Sequence, residues 1–243
     1  IYYMSFDKND TKLDLSEKGR QKDGTVISSD RRLFMQFMAF GDCWNTSEII
    51  QELEVTKMDL VLYADMNDPY GIGVLVLSEN PDFFVEDYRE FLNSSSFMEL
   101  TPKPEFTMLG RTYSLGYEPD LEKTLLTGPR SKVLDPKWSW AIWYPLRREK
   151  IFETLSEDEQ RVVLGEHGKL GFKFGHSGLA TDIRLACHGL DKEDNDFVIG
   201  VLGKELFPLS ALIQAMRKTK QTSQYLESLG PFFVGKAIWQ GQI

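Results

Sequence analysis

One stretch of the chain, Trp140 to Asp191, collects the side chains best suited to chemistry. It holds all three histidines (His167, His176, His188), Tyr144, and the basic run Arg147, Arg148, Lys150. The spacing predicts a helix from Ser156 to His167, with Ser156 and Glu159 as a capping box at its start. His167 then shares the inward face with Val163 and Leu164. An imidazole there either bonds a carbonyl in the core or ligates iron or zinc. Zinc needs three or four clustered ligands, which two cysteines and three histidines supply poorly; a haem needs only one axial histidine. His176 and His188 have no spaced partner and read as structural.

Tyr144 falls in an apolar strand where side chains alternate, so Trp140, Ile142 and Tyr144 share one face and Trp143 takes the other. It is either a packing residue or a buried acid, base or redox relay. Arg147, Arg148 and Lys150 just beyond suit carboxylates or phosphates, or form a solvated strand end. Gly71-Ile72-Gly73 lacks the third glycine and the strand–helix setting of a dinucleotide loop and is rejected.

The elements around these residues occur twice in the same order. In the first half, strands are predicted at Arg32–Cys43, Asp59–Asp65, Ile72–Leu77 and Thr107–Tyr117. Helices fall between, one capped by Asn45 or Thr46 and one started by Pro81. In the second half, strands are predicted at Trp138–Leu146, Asp182–Cys187, Phe197–Leu202 and Phe232–Trp239, with helices at Ser156–His167 and Pro208–Leu226. Both halves read βαββαβ, the ferredoxin-like unit. The predicted fold is therefore α+β: two fused units whose antiparallel sheets merge into one barrel with helices outside. The organisation is a polar extension over 1–30, an N-terminal unit over 31–125 and a C-terminal unit over 135–243. The Glu118–Lys137 segment is read as the link, and Leu170–Thr181, with three glycines, as a long functional loop.

The net charge of −9 argues against a general nucleic-acid binder. No apolar run approaches the roughly 20 residues of a membrane span, and two cysteines give no disulfide framework. A soluble cytoplasmic protein is expected.

Four segments together resemble the chlorite dismutase superfamily, and most nearly its coprohaem decarboxylase branch. They are WYPLRR at 143–148, GEHG at 165–168, the Gly-Leu-Asp turn at 189–191 and MRKTKQTSQYLESLGPFFVG at 216–235. Thr112-Tyr113-Ser114 adds a weaker match in the first half. The resemblance implies ring pentamers, less often hexamers or dimers, that bind haem b or coprohaem in the C-terminal half, with His167 as the iron's proximal ligand. In the decarboxylase branch the tyrosine matching Tyr144 becomes a radical after peroxide oxidises the iron. It then takes hydrogen from the porphyrin propionates, which lose carbon dioxide as vinyl groups form. The resemblance further implies that Arg147, Arg148, Lys150, Tyr113 and Thr222 lie against the porphyrin. The distal position falls on Asp182 or, slipped by two residues, on Arg184, the latter better suited to an anion beside the iron. Where relatives place a carboxylate behind the histidine, this chain has Lys218-Thr219-Lys220-Gln221. The expected function is peroxide-dependent decarboxylation of coprohaem to haem b. The alternatives are chlorite-degrading or peroxidase-like activity, a non-catalytic haem carrier, or an empty barrel.

Overall fold

The computed structural model describes residues 13–241, so residues 1–12 of the polar extension lie outside the described part. Its remainder is a small antiparallel hairpin, β1 (Glu17–Arg20) and β2 (Val26–Ser29). The hairpin lies against the Arg111–Glu118 segment: Glu17 pairs with Arg111 at 3.0 Å, and the Arg20 amide donates to the Glu118 carbonyl.

The first unit follows as β3 (Phe34–Gly41), α1 (Thr46–Glu54), β4 (Asp59–Asp65), β5 (Ile72–Ser78), α2 (Asp87–Ser94), the short β6 (Thr101–Pro102) and β7 (Met108–Arg111). Asn45 caps α1 by accepting from the Ser47 amide. The predicted strand over Thr107–Tyr117 ends at Arg111, because Thr112 turns inward: its hydroxyl accepts from Leu33 N and donates to Leu125 O. The segment read as a link is largely helical, a π-type turn at Lys123–Thr127 running into α3 (Gly128–Leu134). Leu121, Leu125, Leu126, Val133 and Leu134 are buried in the barrel core, so its proline and glycine sit in a helix held by packing.

The second unit is β8 (Trp140–Arg148), α4 (Glu157–His176), β9 (Thr181–Ala186), β10 (Phe197–Gly203), α5 (Leu206–Met216), α6 (Lys220–Gln224), β11 (Leu226–Leu229) and β12 (Phe233–Gln240). Two expectations are corrected here. Helix α4 does not stop at His167 but continues to His176 through the glycine-rich stretch. The stripe Val163, His167, Leu170, Phe174 keeps a helical period and packs inward, outweighing the intrinsic cost of about 1 kcal/mol per glycine. The long helix expected from Pro208 to Leu226 is two helices and a strand, broken after Met216.

The sheet has ten strands, all pairings antiparallel; β6 and β11 hang on its rim. The other eight run β10-β9-β7-β3-β5-β4-β12-β8, and β8 pairs again with β10, closing the ring. Inward residues such as Phe37, Tyr63, Trp143 and Phe233 fill the barrel. Outward residues meet the helices, those of the first unit under α1 and α2, those of the second under α4 and α5.

Gly200 on β10 sits directly opposite Trp143 on β8, and the indole occupies the space a Cβ would need. Gly200→Ala is therefore expected to destabilise the fold by about 1–3 kcal/mol, the usual cost of overpacking a core. A urea unfolding curve measures it.

Candidate functional site

The site lies on the outer face of the second unit's sheet. Alternation along β8 turns Ile142, Tyr144 and Leu146 outward while Ala141 and Trp143 fill the barrel. Register across three strands then builds rows. Tyr144 lies opposite Ile199 on β10, and Ile199 opposite Arg184 on β9. Ile142, Val201 and Asp182 form the next row. Tyr144 and Arg184 thus stand on one row two strands apart, about 10 Å between backbones.

Asp182 and Arg184 both face outward and form an ion pair, Oδ2 to Nε at 3.1 Å. The two-residue slip left open by the sequence keeps the strand face, so both candidates reach the same place. Arg184 is 56 % exposed, yet desolvation by surrounding protein acts on it most. Asp182 and more distant acids outweigh that and hold its pKa above the usual arginine value. From below, Lys132 of α3 donates its Nζ to the Asp182 carbonyl at 2.9 Å.

Helix α4 brings His167 over this face. Its pKa is lowered, first by desolvation, then by Arg184 and Arg148; Asp182 and Glu166 oppose them. Three of the four charges acting on the imidazole are on β8 and β9, and the fourth, Glu166, is its neighbour on α4. Behind the ring, Nδ1 lies 3.1 Å from Thr219 Oγ1, in the break between α5 and α6. Glu166 accepts from the Lys220 amide, fixing the start of α6 against α4.

Tyr144 is buried, its ring stacked on Phe232 with centroids 4.6 Å apart. Desolvation raises its pKa well above the usual phenol value, Asp182 adds to this and Arg217 opposes it. The phenol keeps its proton. Tyr113, just past β7, packs on Phe197 and feels Arg184 and Arg148. Arg148, on the outward face of β8, lies between the rings of Phe152 and Phe197, 4.6 and 4.7 Å away. Burial lowers its pKa, and its Nε finds no hydrogen-bond partner among the described residues.

The remaining basic candidates do not converge. Arg147 is on the opposite face, bonded to the Glu193 carbonyl and paired with Glu227 at 3.3 Å. Lys150 is exposed at the start of a 3₁₀ turn, Lys150–Thr154. Thr222, half-buried on α6, stands 3.5 Å from the Thr219 hydroxyl. His188 lies 3.3 Å from Asp196, whose other oxygen accepts from the Arg148 amide; it organises the strand end. His176 stacks on Phe172 at the exposed end of α4. Sequence reasoning missed Lys132 and Phe197 as neighbours of the site. The spacing Leu121, Leu125, Val133 was the available sign that the Lys132 segment is a packed helix.

Among the described residues no three His, Cys, Asp or Glu side chains gather as a metal-binding group. No helix among them is long and apolar enough to cross a membrane.

A closed antiparallel ring with outer helices, one of which sets His167 over the outward strand face, defines an α+β barrel. The chain belongs to the chlorite dismutase family, whose model matches residues 47–238. Among curated proteins no sequence matches it. Solved structures share the fold. A haem-binding protein of Thermus thermophilus is 18 % identical, with 86 % of this chain and 92 % of that one covered and a TM-score of 0.66. A chlorite dismutase variant of Candidatus Nitrospira defluvii, in complex with cyanide, is 16 % identical with the same coverage and a TM-score of 0.64. The same enzyme is known in complex with imidazole, at a TM-score of 0.63.

Proposed function

We propose that this protein is a haem-binding oxidoreductase that uses peroxide to decarboxylate coprohaem to haem b. The observation that carries the reading is the convergence of His167 with the row Tyr144–Ile199–Arg184 on one face of β8, β10 and β9. The donor set fits an iron porphyrin: one imidazole for the metal, an apolar strand face for the ring, and cations at the edge for its carboxylates. The porphyrin supplies the redox-active iron and is also the substrate.

The chain's residues divide the work. His167 holds the iron from the α4 side. Arg148, whose guanidinium has no carboxylate partner among the described residues, would receive a propionate through its fork, with Tyr113 and the Thr222 hydroxyl beside the ring. Tyr144 holds its O–H in a dry setting beside the propionate; once oxidised by loss of that hydrogen, its oxygen would take a hydrogen atom from the propionate side chain and so return to the phenol. Arg184, tethered by Asp182, faces the peroxide side. Each propionate converted consumes one peroxide and one proton and yields a vinyl group, carbon dioxide and two waters, so atoms and electrons balance. Arg147 and Lys150 have no part in this reading. Assembly into a ring of five in the cytoplasm belongs to it through the family resemblance.

One observation favours a chlorite-degrading or peroxidase-like activity instead: Arg184 shares the row of Tyr144. Its pairing with Asp182 weighs against this, because a guanidinium already matched by a carboxylate attracts a small anion less. The deciding experiment titrates purified protein with coprohaem, adds peroxide and identifies the porphyrin products. A Soret shift followed by stepwise loss of two carboxyl groups is expected. Uptake without that loss overturns decarboxylation, and absence of uptake overturns the haem reading.

A further inference from the structure

We infer that Thr219 is a positioning residue that fixes the tautomer of His167, holding the proton on Nδ1 and leaving the Nε2 lone pair free. The Thr219 hydroxyl has a single hydrogen to give. Thr219 Oγ1 lies 2.8 Å from the Met216 carbonyl oxygen and 3.1 Å from His167 Nδ1. A carbonyl oxygen can only accept, so the hydroxyl hydrogen goes to Met216. With that hydrogen spent, Oγ1 can only accept from the imidazole, and Nδ1 must carry the proton. The opposite arrangement would aim the hydroxyl at the ring and leave two bare oxygens 2.8 Å apart, without a hydrogen between them.

The local chain explains why Thr219 can do this. Met216 ends α5, where carbonyls lack helical partners. The Thr219 amide and hydroxyl both donate to its oxygen. Thr219 is buried, only 5 % exposed, so water does not compete for its oxygen. The Glu166 carboxylate on the Lys220 amide locks the break between α5 and α6 to the turn of α4 that carries His167. The imidazole is thereby oriented before any ligand arrives. A neutral hydroxyl behind the ring, in place of a carboxylate, also leaves Nε2 a neutral, weaker donor.

This inference rests on the proposed role of His167, but its test does not require haem. Two-bond proton–nitrogen correlation spectra of ligand-free protein, at about pH 8.5 where imidazoles are neutral, resolve three histidines at most; His167→Gln identifies the signal. The His167 signal should show a protonated Nδ1 and a bare Nε2, opposite to the Nε2–H form that free histidine prefers. Thr219→Val, which keeps shape but cannot accept, should return His167 to the Nε2–H form, and Thr219→Ser should retain Nδ1–H. Haem affinity, measured separately, should fall about 10-fold or more in Thr219→Val and recover in Thr219→Ser. An Nε2–H tautomer in the unaltered protein, or an unchanged tautomer in Thr219→Val, overturns the inference whatever the haem result. The predicted tautomer without haem uptake leaves the inference standing and overturns the haem reading alone.

Discussion

Tyr144→Phe is expected to lower peroxide-driven decarboxylation of coprohaem by at least about 100-fold, the range lost when a positioned proton-transfer group is removed, while leaving coprohaem uptake intact. The substitution deletes one oxygen and keeps the ring, which is held by stacking on Phe232 and by its place in β8. What disappears is an O–H bond in a desolvated position, where burial and Asp182 keep the phenol protonated far beyond neutral pH. Tyr113, the other tyrosine assigned to the site, lies at the Phe197 edge and is not on the Tyr144 row. Product analysis after peroxide addition checks this. Decarboxylation at the normal rate in Tyr144→Phe would remove the tyrosine from the mechanism. If chlorite is the true substrate, its conversion should survive the substitution largely unchanged.

His167→Ala is expected to weaken coprohaem binding by more than about 100-fold, since even partners behind a metal ligand are worth about 10- to 100-fold. The variant should fold. Position 167 is in the middle of a 20-residue helix, and alanine is a better helix former than histidine. The imidazole is only partly buried and makes one side-chain hydrogen bond, to Thr219, so its removal leaves the rest of the buried stripe in place. Circular dichroism should match the unaltered protein while the Soret shift on coprohaem addition is lost. Added free imidazole should partly restore it by filling the vacated ligand position. Tight, spectroscopically unaltered binding in His167→Ala would show that the porphyrin is held elsewhere.

Much of this was legible in the sequence, and for physical reasons. Period-two alternation along Trp140–Leu146 put Tyr144 and Trp143 on opposite faces, as the sheet shows. The Ser156–Glu159 capping box set the start of α4 at the right residue, because side-chain capping is local chemistry. The end of α4 was not legible. Gly168, Gly171 and Gly175 read as breakers, whereas Leu170 and Phe174 continue the buried stripe and tertiary packing keeps the helix. The same conflict hid α3, whose Gly128 and Pro129 suggest a linker although Val133 and Leu134 are in the core. The choice between Asp182 and Arg184 had no sequence solution. Both positions have the same parity on β9, and only their side chains in space reveal that they pair. Arg147 and Arg148 posed the reverse case: adjacent, alike in charge, and sent by the pleat to different environments.

Closure of the ring has a consequence for how copies of this chain, or other proteins, can meet it. A partner that recognises a protein by adding a strand needs an open row of amides and carbonyls. Here the return pairing of β10 with β8 uses up what would have been the two ends of the sheet. Within the main sheet the described residues leave the two-residue β6 and the four-residue β11 on the rim, and β9, which meets β7 only at Ala186–Arg111, is covered along that edge by α3, whose Lys132 takes the Asp182 carbonyl. Backbone templating is thereby largely closed off, which guards the barrel against sheet-to-sheet aggregation. Lasting contacts must then be made by side chains on the outer helices and loops, surfaces that can change without disturbing the strands that hold Tyr144 and Arg184.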